Sequence, residues 1–93
     1  MRTVHEIAGT IAERSGWTVS NLALQKLCYL AQMLHLGEAG DAMFPEDFEA
    51  WDYGPVVPGL YHDLKMFGGG PVAPYSALRP VRVLDGKMND AVN

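Results

Sequence analysis

The longest periodic stretch, from Ser20 to Leu36, constrains the fold most because it is apolar on nearly every side. Leu24, Leu27, Cys28, Ala31 and Leu34 share one face, while Leu22, Tyr29, Leu30 and Met33 fill much of the remaining circumference. A helix of that kind needs neighbours on at least two flanks, so it belongs in the middle of a domain. Ser20 or Asn21 can cap its free N–H groups, and the break is expected between Gly37 and Gly40.

The other elements arrange themselves around this helix. Val4, Ile7, Ala8, Ile11 and Ala12 make the stripe of a first helix over residues 3 to 15. Thr3 and Glu6 stand at capping-box spacing, and Ser15-Gly16 supplies the stop. After Gly40 the period changes: Phe48, Ala50 and Asp52 alternate with Glu49, Trp51 and Tyr53, as in a short strand that Gly54-Pro55 ends. Pro58 opens a third helix with Leu60, Tyr61, Leu64 and Phe67 on one side, closed by Gly68-Gly69-Gly70-Pro71. The pattern predicts a mainly α domain with one or two short strands. Residues 1–70 form its core, and residues 71–93 form a Pro-rich extension with a strand-like run at 81–84 and an incomplete last element.

At 93 residues the chain holds one domain, and a domain this small buries only about 60–65% of the surface its unfolded form exposes. No apolar run approaches the roughly 18 residues a membrane span needs, and Glu6, Glu13 and Arg14 spoil any signal-peptide reading of the N-terminus, so a cytoplasmic location is expected. The single cysteine, Cys28, excludes an internal disulfide and a Cys-rich zinc site. His5, His35 and His62 fall on three different elements, without metal-ligand spacing. Gly68–Gly70 lacks the Lys-Ser/Thr of a phosphate loop. About 10.5 Å of helix rise separates Cys28 from His35, too far for direct proton transfer. Neither a catalytic residue, a metal nor a cofactor is predicted.

Charge points to the class of partner. Between Lys26 and Lys65 there is no Lys or Arg, whereas Glu38, Asp41, Glu46, Asp47, Glu49, Asp52 and Asp63 all lie there, within a net charge of −4. Such a block repels nucleic acid and favours a basic or mixed protein surface. Trp51 and Tyr53, crowded beside Gly54 and Pro55, read either as core packing or as partner contacts of the kind that dominate interfaces. Gln32 and His35 share a helix face and read as a polar buttress for that corner's backbone.

The stretches LQKLCYLAQMLHL (24–36) and FPEDFEAWDYGPVVPGLYHDLK (44–65) resemble the Panacea domain, the SocA-like antitoxin family also described as phage-associated GepA-like proteins. The likeness covers about residues 5 to 68. Its motif residues here are Lys26, Leu27, Tyr29, Ala31, Gln32, His35, Glu49, Ala50, Trp51, Tyr53, Gly54, Pro55, Val56, Val57 and Tyr61, with departures at Cys28, Leu30 and Met33-Leu34. The resemblance implies an antitoxin that binds and neutralises a cognate toxin protein, by occlusion or by delivery to an ATP-dependent protease. The partner-binding set is then Trp51, Tyr53, Val56, Val57 and Tyr61 with Glu46, Asp47 and Glu49. Lys26, Tyr29, Gln32, His35, Gly54 and Pro55 are structural. The family continues into further helices; if the chain ends at Asn93, part of the apolar face of the central helix is expected to be left for a partner or a second copy to cover. A DNA-binding autoregulator using helices one and two is the alternative, weakened by a recognition helix whose only base is Lys26, with Arg79 and Arg82 as further phosphate contacts.

Overall fold

The computed structural model describes residues 2–74 and Leu78; the strand-like run at 81–84, the last element, Arg79 and Arg82 lie outside the described residues. Its elements are helix α1 (Val4–Arg14), helix α2 (Asn21–Ala39), strands β1 (Glu49–Trp51) and β2 (Gly54–Val56), helix α3 (Pro58–Leu64) and a 3-10 turn at Lys65–Phe67. This is a mainly α fold with a minor two-stranded antiparallel sheet.

Helix α1 starts where its capping box requires. The Thr3 hydroxyl accepts from the Glu6 N–H at 3.2 Å, and the Glu6 carboxylate accepts from the Thr3 N–H at 2.9 Å. At the other end Gly16 takes φ 74 and Trp17 takes φ 60, and the Trp17 N–H reaches back to the Ala12 carbonyl at 2.8 Å. Thr3→Ala removes the hydroxyl acceptor and should cost about 1 kcal/mol. A thermal melt checks this, and an unchanged midpoint would mean that Glu6 caps the helix unaided.

Helix α2 runs past the first of its two glycines and ends at the second. Gly37 stays helical between good helix formers, and Gly40 takes the left-handed φ of 79 with its N–H on the Leu36 carbonyl at 3.0 Å. The helix packs against α1, α3 and β2, so it is central, yet its buried residues are Asn21, Leu24, Gln25, Cys28 and Gln32. Leu27 and Leu34, read from the sequence as inward with Leu24 and Cys28, are 38% and 67% exposed. The apolar pattern covers both sides of the helix and cannot choose between them. Three amides decide the matter, because each finds partners only on the inner side.

The Gly54-Pro55 corner is a hairpin rather than the end of a single strand. Trp51 pairs with Gly54 around a two-residue loop, Ala50 faces Pro55, and Glu49 faces Val56. Alternation along the ladder puts Pro55 at a non-hydrogen-bonded position, where its missing N–H costs nothing. Gly54 has φ 122, a conformation that favours glycine, and so turns the chain. The core gathers Val4, Ile7 and Ala8 from α1, Leu24 and Cys28 from α2, Phe44 from the loop, and Leu60 and Leu64 from α3. Val72 and Leu78 join it, and the Val72 N–H donates to the Val19 carbonyl at 2.8 Å.

Candidate functional site

Two elements bring four rings together. The hairpin supplies Trp51 and Tyr53, and the first turns of α3 supply Tyr61 and His62. Trp51 stands edge-on to Tyr61 with centroids 5.1 Å apart, and edge-on to Tyr53 at 5.8 Å. Tyr53 stacks on Tyr61 at 6.0 Å, and His62 lies 6.2 Å from Trp51. These are favourable aromatic geometries. The Trp51 indole N–H donates to Glu49 Oε1 at 2.9 Å, which fixes the ring's angle. A hydrogen bond with Tyr61 raises the Tyr53 phenol above its ordinary pKa. Tyr53 remains 52% exposed, so the cluster is supported from below and open above.

The other residues expected at the site divide by environment. Asp47 and Glu49 are exposed. Val56 and Val57 are buried and serve as the floor under the hairpin rather than as contact residues. Glu46 is half-buried, and its Oε1 accepts from the Val4 N–H at 3.0 Å. It therefore satisfies an orphan donor and places negative charge at the start of α1.

Among the structural residues, Gln32 is a buttress with a different target from the one its sequence position indicates. Its amide donates to the Phe44 carbonyl at 2.9 Å and accepts from the Met43 N–H at 2.8 Å, so it fastens the loop before the hairpin. His35 does not join it, since its Nε2 stands 3.4 Å from Asp41 Oδ1. Tyr29 meets the Phe48 ring edge-on at 5.3 Å, and Lys26 is exposed.

The residue that holds the corner is Gln25, which sequence reasoning missed. Fully buried, it accepts from the Val57 N–H at 2.9 Å and donates to Asn21 Oδ1 at 3.0 Å. Asn21 in turn donates to the Tyr61 carbonyl at 3.1 Å. The signal available was the i, i+4 pair of amides on one face of an otherwise apolar helix.

Cys28 is not set up as a nucleophile. Burial pushes the Cys28 thiol up to about 12 from an ordinary 9.0. Iodoacetamide at pH 8 should therefore label Cys28 only after unfolding, as followed by mass spectrometry against denaturant. Rapid labelling of the native chain would contradict its burial. The unfolded thiol ionises above pH 9.0 while the folded one keeps its proton to about 12, so this group lowers stability as pH rises through that window. Among the described residues, no three metal-ligating side chains converge, and no helix is long and apolar enough to cross a membrane.

Part of the chain is similar to known proteins. A family model described as antitoxin SocA-like, Panacea domain, matches residues 24–82, from the first turn of α2 through the hairpin and α3. The chain belongs to the SocA-like antitoxin family. The match begins later and ends later than the motif likeness over residues 5 to 68 indicates. Over 43 residues the chain is 49% identical to Antitoxin SocA of Caulobacter vibrioides (strain NA1000 / CB15N), a stretch covering 46% of this chain and 23% of that protein. The chain thus aligns with less than a quarter of this SocA-like relative. No solved structure matches it.

Proposed function

We propose that this chain acts as an antitoxin that binds a cognate toxin protein, with the ring cluster of Trp51, Tyr53, Tyr61 and His62 as the anchoring surface. The observation that carries this reading is an aromatic corner braced by Gln25 and Asn21 from α2, with the Tyr53 ring left open to solvent. Rigid aromatic anchors of this type dominate binding energies. Exposed Glu49 and Asp52 belong to the same hairpin, so a toxin presenting Lys or Arg is favoured.

Two ways of neutralising fit this surface. Occlusion needs only the aromatic corner. Delivery to an ATP-dependent protease needs a second exposed face, and Leu27, Leu30 and Leu34 supply one along α2. That exposed row equally supports self-association. The deciding experiment is growth rescue. The chain is co-expressed with the reading frame beside its own, which on this reading arrests growth alone and is silenced by the chain. Continued arrest in the presence of the folded chain would remove the antitoxin assignment.

A further inference from the structure

Beside the ring cluster, between α2 and the hairpin, runs a trough that nothing above assigns. One half has a volume of about 400 Å³ and is lined by Tyr29, Phe48, Glu49, Ala50, Trp51 and Pro55. The other, about 310 Å³, lies between α2 and the loop before β1, with Met33, Leu36, Ala42, Pro45, Glu46 and Asp47 in its walls. Tyr29 and Phe48 line both halves, and their edge-on contact at 5.3 Å makes a shared floor. Tyr29 to Leu36 spans two turns of α2, about 10 Å of helix. The trough is therefore elongated, with a volume in the range of ligand sites, roughly 300–1,000 Å³.

Its rim carries one sign of charge. Glu46, Asp47 and Glu49 line it, no Lys or Arg does, and none of the three acids forms an ion pair among the described residues. Glu46 and Glu49 each accept one hydrogen bond from a neutral N–H, and Glu46 also faces the start of α1, so Asp47 and Glu49 carry the least compensated charge. We infer that this trough is a docking groove for a short apolar segment of another protein bracketed by Lys or Arg side chains. Apolar side chains fill the floor over Tyr29, Phe48 and Met33, while the bases meet the acidic rim. A second copy of this chain is the poorer occupant, because its net charge of −4 opposes the same rim. The inference rests on the toxin-binding reading only for the identity of the protein that supplies the segment; the chemistry of the groove does not depend on it.

The test uses the full chain and two short synthetic peptides, one alternating Leu with Lys and the other alternating Leu with Glu. Fluorescence anisotropy should show binding of the Lys peptide alone, with amide NMR shifts centred on Tyr29, Met33, Phe48 and Trp51. Met33→Asp changes a side chain that is 41% exposed and therefore spares the fold. It should weaken the Lys peptide about tenfold, since a charge would be buried beneath apolar side chains. Leu34→Asp, outside the groove, should leave affinity unchanged or slightly raised. An added negative charge tightens a purely electrostatic association, so tighter binding by Met33→Asp would overturn the groove. Equal binding of both peptides, or shifts centred on Leu27, Leu30 and Leu34, would overturn it as well. These outcomes are independent of growth rescue, so the groove and the antitoxin reading can fail separately.

Discussion

Gln25→Leu is expected to destabilise the domain more than its nearly unchanged volume implies. The wild-type amide is fully buried and serves two partners, the Val57 N–H and Asn21 Oδ1. Val57 is the N-cap of α3 and has no side-chain cap of its own, so Gln25 does from another helix what a capping box does locally. Leucine would leave both partners buried and unpaired, at about 1–3 kcal/mol each. For a domain of this size each kcal/mol moves the melting midpoint by about 4–8 °C, so a loss of roughly 10 °C or more is expected. Circular dichroism melts of Gln25→Leu beside Lys26→Ala, an exposed neighbour, measure this. Equal midpoints for the two variants would show that water or a rearranged backbone replaces the Gln25 bonds.

Trp51→Ala carries the largest expected effect on binding. The indole touches Tyr53, Tyr61 and His62 and is itself held by Glu49, so its removal frees both tyrosine rings as well as deleting a contact. Truncating an anchor of this kind costs at least about 2 kcal/mol, or roughly thirtyfold in affinity. Trp51→Phe keeps an aromatic face but loses the N–H bond to Glu49, and should fall between wild type and alanine. A melt beside the titration separates lost binding from lost fold. Full affinity in a folded Trp51→Ala chain would take the ring cluster out of the interface.

How far the sequence reveals this molecule differs from element to element. The start of α1 is legible because a capping box is a local pattern, and Thr3 with Glu6 realises it atom by atom. The start of α3 is legible for a similar reason, since Pro58 fits only the first turn. The inward face of α2 is not legible, because Leu27, Leu30 and Leu34 match its apolar period as well as Leu24 and Cys28 do. The deciding interactions cross long distances in sequence, from Gln25 to Val57 and from Asn21 to Tyr61. Gly54-Pro55 reads as a terminator when only the absent proline N–H is considered. The ladder register, which a single strand does not reveal, makes it the first two residues of β2. At the site, the aromatic types and their crowding were visible, while the inward turn of Val56 and Val57 and the capping role of Glu46 follow from tertiary packing.

The toxin-binding claim is tested most directly by recovering the tagged chain from its host of origin at moderate salt, and identifying what comes with it by mass spectrometry and stoichiometry. The account predicts a small basic protein, encoded in the adjacent reading frame and toxic when expressed alone, in fixed ratio to the chain and lost with Trp51→Ala. Recovery of the chain by itself, or bound to DNA, would contradict it.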